Sequence, residues 1–164
     1  MNREMPLPQG VRLLTANPWK LKEIWNLIKG YDSIFGNDYM RSEVTYMGQF
    51  LQPDTVVLEL DGGIILLTHI VHGLRCEVHF IFWDHKLSAR KDLLNSLLIW
   101  AFITFDLYRI ETFVASYARS VMRFIEKKLG FTYEGTMRNR IIHRGMPTNL
   151  KVYSILREEV LDGS

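Results

Sequence analysis

The apolar positions of this chain change their spacing repeatedly, and each change marks an element. "VRLLTA", residues 11–16, is a short apolar run that predicts a first strand. "NPWKLKEIWNLIKGY" follows, with Asn17 as N-cap, Pro18 at the first helical position and Gly30 as the stop, and predicts a helix. Residues 31–53 have helical stretches broken by Gly36, Gly48 and Pro53, and predict one or two short helices among loops. From Thr55 the spacing shortens. "TVVLELDGGIILLTHIVHGLRCEVHFIFW", punctuated by Asp61-Gly62-Gly63 and His72-Gly73, predicts three antiparallel strands in a meander. Leu94, Leu97, Leu98, Ala101 and Phe105 then recur at three- and four-residue spacing, a long helix for which Ser88 offers an N-cap. "RIETFVA" predicts a strand. "ARSVMRFIEKKLG" puts Val121, Phe124, Ile125 and Leu129 on one helical stripe, Lys127 and Lys128 against the negative end of the dipole, and Gly130 at a left-handed cap. The chain closes with a hairpin of "FTYEGTMRNRIIH" and "NLKVYSILREE", turning through "RGMPT".

This order predicts an α/β (α+β) chain: one domain over residues 1–164, with a mixed, mostly antiparallel sheet of about seven strands flanked by about four helices. Composition agrees with it. The 164 residues are 48% hydrophobic and 12% aromatic, enough for one core, which excludes a disordered tail or a small stapled scaffold. The single Cys76 excludes an internal disulfide and a zinc-binding cysteine pair, and points to a reducing compartment, the cytoplasm. Its apolar strand neighbours predict a buried, inert thiol. "MNREMPLPQG" lacks the apolar segment of a signal peptide, and "LLIWAFITF" falls short of the roughly 20 residues of a membrane span, so a protein without membrane partners is expected.

The net charge of +2 is unevenly spread: residues 1–84 carry 7 basic and 10 acidic side chains, residues 85–164 carry 13 and 8. Such asymmetry suits an anionic ligand, and it equally suits solvated helix and hairpin faces. "RNRIIHR", residues 138–144, is the most basic stretch, but it lacks the stacking aromatics of single-strand binders. A solvated hairpin is expected there and not a nucleic-acid surface; an RNA-binding reading would require strongly salt-dependent binding to this face.

The order of elements, together with "EKKLGFTYEGTMRNRIIHRGMPTNLKVYSILREE" and "LLIWAFITFDLYRIETFVA", resembles the GNAT acyltransferase superfamily, and within it the branch that includes the ribosomal-protein N-terminal acetyltransferases. The likeness in order spans nearly the whole chain; at residue level it is good from about Leu93 onward. The resemblance implies acetyl-coenzyme A as cofactor and a primary amine as acceptor, on a protein N-terminus, an amino sugar or a small amine. It also explains the Gly130-Phe131 step as architecture: the helix beside the cofactor ends and the chain enters the sheet at once.

The resemblance places the pyrophosphate loop at His85-Lys86-Leu87-Ser88-Ala89-Arg90, where the family's two glycines are missing. Lys86, Arg90 and Lys91 would supply charge there, and Arg119 would add to it. Where the family has a general-acid tyrosine this chain has Glu126, and Tyr117 is the candidate substitute. The backbone of Phe80, Ile81 and Phe82 would hold the pantetheine arm, with a bulge freeing an N–H for the developing oxyanion. Glu77 and His79 alternate onto one face of their strand and are the candidate relays for the amine proton; Glu59 is a weaker one. His69 and His72, three apart on a strand, are sent to opposite faces, and no metal is expected. The degenerate loop leaves a second reading open, a catalytically inactive module of this fold acting through a protein partner. That reading requires Arg90 to fill the cleft.

Overall fold

The structure is a computed structural model that describes residues 5–14, 17–31 and 37–162. Its centre is one seven-stranded sheet: β1 (Arg12–Leu13), β2 (Val56–Leu60), β3 (Gly63–Val71), β4 (Arg75–Phe82), β5 (Arg109–Ala115), β6 (Thr132–His143) and β7 (Met146–Leu156). They lie in the order β1-β2-β3-β4-β5-β7-β6. Every pairing is antiparallel except β4 with β5, which is parallel. The sequence-predicted mixed, mostly antiparallel sheet of seven strands is what the chain forms.

Two layers of helices cover the two faces. Helix α1 (Pro18–Ile28) starts as its sequence predicts: the Asn17 side chain accepts from Trp19 N–H at 2.9 Å, and Pro18 occupies the first turn. Helix α2 (Glu43–Phe50) is capped by Ser42, whose hydroxyl accepts from Thr45 N–H at 3.1 Å. Leu21, Ile24, Trp25 and Ile28 of α1, with Tyr46 and Phe50 of α2, pack on Val57, Ile64 and Leu66 of the sheet. On the opposite face α3 (Lys91–Thr104) buries Leu94, Leu97, Leu98 and Ala101 against Leu58, Ile65, Leu67, Cys76, Val78 and Ile110. Helix α4 (Arg119–Arg123) runs straight into a π turn over Phe124–Lys128, adding Ile125 and Leu129 to the same core.

Gly130 ends the π turn that follows α4, at φ 78°, and Phe131 N–H reaches back six residues to Ile125 C=O at 2.9 Å, one residue further than in a Schellman motif because the π turn carries an extra residue. The glycine is required because a side chain resists that left-handed backbone.

Three expectations need correction. Ser88 does not cap α3: residues His85–Ala89 curl into a 3₁₀ turn in which the Ser88 hydroxyl donates to His85 C=O at 2.8 Å, and Arg90 precedes the helix with no side-chain cap. The last hairpin does not turn through five residues. Arg144 and Gly145 alone make the turn, at φ 49° and 74°, and Pro147 lies within β7. Nor does the final strand run to Glu159: it stops at Leu156, where the Glu159 carboxylate accepts from Leu156 N–H at 2.8 Å and starts a short helix, α5 (Arg157–Leu161). Residues 15–16 of the first expected strand and 32–36 of the irregular segment lie outside the described residues.

Candidate active site at the fork between β4 and β5

The parallel pair β4–β5 is short. It covers only Arg75↔Arg109, Cys76↔Ile110 and Glu77↔Glu111, after which the strands part. What faces the gap follows from the neighbouring ladders. Trp83 N–H donates to Gly62 C=O at 3.0 Å, so alternation along β4 turns the backbone of Glu77, His79 and Ile81 toward β3, and that of Val78, Phe80 and Phe82 toward β5. On β5, the bonds of Arg157 N–H to Tyr108 C=O and Ser116 N–H to Asn149 C=O likewise turn Phe113 and Ala115 toward β4.

Val78 C=O at the apex is satisfied by a side chain: the Thr112 hydroxyl, on a residue 5% exposed, donates to it at 2.8 Å. Thr112 thus closes the ladder where backbone pairing stops. Phe80 and Phe82 are left with N–H and C=O groups aimed into the fork. No bulge is needed to free them, and β4 has none; the irregularity lies in β3, between Thr68 and Val71. The backbone of Ile81 belongs to β3, which removes it from the set available to a pantetheine arm.

On the α3–α4 face, Phe124 from the π turn meets Phe80 and Phe82 edge-on, at 5.9 and 6.3 Å between centroids. Burial first, then the nearby Glu126 carboxylate, pushes the Tyr153 hydroxyl of β7 up to about 12. Tyr117, the candidate acid, stacks on His143 at the hairpin tip, 4.0 Å between centroids. Arg119 sits exposed at the start of α4.

The segment expected to hold the pyrophosphate is partly committed to itself. Lys86 N–H is held by the Asp84 carboxylate, Leu87 N–H by Asp84 C=O, Arg90 N–H by Leu87 C=O; the Leu87 side chain is buried. Donors reappear at the next step. Leu94 N–H makes the first bond of α3, to Arg90 C=O, so Lys91, Asp92 and Leu93 carry the helix's unpaired N–H groups, with exposed His85, Lys86, Ala89, Arg90 and Lys91 around them. Arg90 lies in solvent, so the side chain on which the inactive-module reading turned does not fill the cleft.

On the α1–α2 face of the apex, Glu77 and His79 lie together as their alternation predicts. The His79 Nε2 is 3.0 Å from the Thr68 hydroxyl and 3.7 Å from the Glu77 carboxylate. Burial raises the Glu77 carboxyl, but the His79 hydrogen bond and the charges of His69 and His79 outweigh it and hold the group below the usual carboxylate range. Glu59, by contrast, is bridged to Lys20 and Arg12 at 3.1 and 3.4 Å on β2, away from the fork. Beyond Glu77, Arg75 bridges Glu111, and Arg109 bridges both Glu111 and Glu134, which also takes the Ser154 hydroxyl. The Glu-Gly after Gly130-Phe131 is therefore a clamp: Glu134 sits at a bulge of β6 and ties β5 and β7 together.

Two distant segments meet at the tip of the last hairpin. Asp38, in a 3₁₀ turn before α2, accepts from Arg144 and Gly145 N–H at 3.0 and 2.9 Å, so the α1–α2 connection reaches the hairpin tip. Cys76 is buried at the zipped end of β4; burial first, then Glu111 and Glu77, pushes its thiol up to about 12. Among the described residues no helix is long and apolar enough to cross a membrane, and no group of three or more His, Cys, Asp or Glu side chains is arranged to hold a metal ion.

Reasoning from sequence passed over Thr112, and weighed His69 only as a metal ligand, sending it to the face away from Glu77. Thr112 leaves a trace, as the lone hydroxyl among the inward positions Ile110, Thr112 and Val114. His69 leaves none.

A mixed sheet parted between its fourth and fifth strands, with an uncapped helix start beyond, has the architecture of the GNAT fold. Solved structures bear this out. A point mutant of spermidine N-acetyltransferase SpeG from Vibrio cholerae superposes with a TM-score of 0.71 at 19% identity, over 93% of this chain and 98% of that one. A chimera of that enzyme with hSSAT gives 0.74 at 19%, over 94% and 99%. A probable acetyltransferase gives 0.66 at 19%, over 94% and 97%. No protein-family model and no curated protein matches the sequence. At these identities the likeness is one of fold.

Proposed function

We propose that the protein is an acetyl-coenzyme A-dependent N-acetyltransferase acting on a primary amine. The observation that carries this reading is the fork: two parallel strands part at an apex sealed by Thr112, leaving the backbone groups of Phe80 and Phe82 for a ligand, with a carboxylate–imidazole pair beside the apex on the other face. The neighbouring fold includes a spermidine N-acetyltransferase, and the sequence resembles enzymes that act on protein N-termini; both acceptors are primary amines.

The acetyl donor supplies a thioester. Phe80 and Phe82 offer N–H and C=O groups that fit the amides of a pantetheine arm as an added strand edge would, and one such N–H suits the charge that develops on the thioester oxygen. The free N–H groups of Lys91, Asp92 and Leu93, with Lys86, Arg90 and Arg119, form the anion-binding end for the pyrophosphate. The residues present fit the donor without the glycine loop because the donors move onto the start of α3.

An ammonium cannot attack a carbonyl, so its proton must leave first. His79 engages Thr68 and Glu77 through Nε2, and among the described residues its Nδ1 has no hydrogen-bond partner. Nδ1 is therefore the nitrogen that takes the amine proton, and the Glu77 carboxylate steadies the imidazolium. The test combines calorimetric titration with acetyl-coenzyme A and an acetylation assay with spermidine and with a peptide bearing a free N-terminus. Binding is expected, with turnover of at least one acceptor that falls about a hundredfold in His79→Gln. Absence of binding at millimolar donor sinks the reading.

A further inference from the structure

We propose that His69 is the outlet through which the proton taken from the acceptor amine returns to solvent; this rests on the reading of His79 as base. In a regular β3, His69 would face away from Thr68 and from Glu77, its cross-strand neighbour. The strand is not regular there. His69 has φ 50°, and the register slips between Thr68 and Val71, so the bulge swings its imidazole onto the Glu77 face. Its Nδ1 comes to 3.3 Å from the same Glu77 oxygen, Oε2, that His79 approaches from the other side.

Glu77, 18% exposed, lies between two more open imidazoles, and His69 at 65% is more exposed than His79 at 39%. A proton accepted at His79 Nδ1 is matched by release of the Nε2 proton to Glu77 Oε2, 3.7 Å away, a gap that has to tighten to hydrogen-bond length when the acceptor is bound. The carboxylic acid passes it to His69 Nδ1, and the His69 imidazolium gives its Nε2 proton to water; the charges of all three groups are restored, and both imidazoles, left as the opposite tautomer, are reset by proton exchange with solvent before the next turnover. Nothing is oxidised or reduced. The other charged groups on this side of β4 and β5, Arg75, Arg109 and Glu111, are bridged to one another and take no part. A left-handed backbone at a β-branched or bulky residue is costly, whereas histidine and asparagine tolerate it, so the bulge admits few side chains and one of them can carry a proton.

His69→Asn separates structure from proton carriage: asparagine accepts the backbone conformation and can hydrogen-bond Glu77, but cannot relay. In this variant kcat is expected to fall about tenfold with KM for both substrates unchanged, and added imidazole is expected to restore it, because a diffusible carrier replaces the outlet. Removing the His69 charge should also raise the Glu77 titration midpoint, read from its side-chain carboxyl carbon by NMR in a folded, substrate-free sample. Full-rate turnover by His69→Asn, a defect that imidazole leaves untouched, or an unmoved Glu77 midpoint overturns the proposal. If His79→Gln also turns over at the full rate, the base assignment itself fails, a result distinct from failure of the outlet alone.

Discussion

β4 and β5 lie side by side, yet their two ends differ in kind. At Arg75–Glu77 and Arg109–Glu111 they are hydrogen-bonded and overlaid on one face by Arg75, Glu111, Arg109 and Glu134, with Ser154 completing the row across four strands. From Val78 and Thr112 onward the strands part, and the residues whose backbone faces the gap are Phe80, Phe82, Phe113 and Ala115. Charges that need partners hold the lower end shut. Apolar side chains need none, so above the apex nothing draws the two backbones together. Closure and opening in one strand pair are thus assigned by side-chain chemistry, and Thr112 marks the boundary.

The contrast is breakable from either end. The largest expected effect comes from the open end: a Cβ on Gly63 would stand 2.6 Å from Phe82 Cδ1, 2.8 Å from Leu87 Cδ2 and 2.9 Å from Ile81 C=O. Gly63→Ala should push Phe82 and the His85–Ala89 turn outward and cost about 3 kcal/mol, read by chemical denaturation, with loss of donor binding. At the apex, Thr112→Val keeps the shape but strands Val78 C=O; a cost of about 1.5 kcal/mol is expected, with Thr112→Ser closer to wild type. The smallest effect belongs to the zipped end. The Arg109 hydrogen bonds, then that of Ser154, hold the Glu134 carboxyl at about 2 against an ordinary 4.5. A folded-state value below the unfolded one means that this stabilisation is complete above about pH 4.5 and is lost as pH falls toward 2. Solvent screening at the half-exposed Glu134 reduces it to about 1 kcal/mol, so Glu134→Gln should lower stability by that amount at pH 7 and make the denaturation midpoint less sensitive to acid over that window.

Elements whose ends are written locally were legible in the sequence. Asn17-Pro18 starts α1, Gly130 stops the π turn after α4, and the glycine-punctuated run from Thr55 folds as the three-stranded meander. Glu77 and His79 were legible as a pair because strand alternation is a local rule. The parting of β4 from β5 was not, since it depends on what lies beside β4 in space, about thirty residues away in the chain. The His69 bulge and the capping of Leu156 by Glu159 escaped for another reason: each is a local exception, and the residues involved suit the regular alternative equally well.

Cys76 carries a practical consequence. Free coenzyme A is commonly followed through its thiol, and an enzyme with a reactive cysteine contaminates that signal. This chain has one cysteine, wholly buried beneath the charged row and held protonated at neutral pH. The folded protein should be silent to thiol reagents, and a slow appearance of one equivalent would report how often β4 and β5 come apart at their closed end. The molecule thus holds its own clock for opening, readable with a thiol reagent.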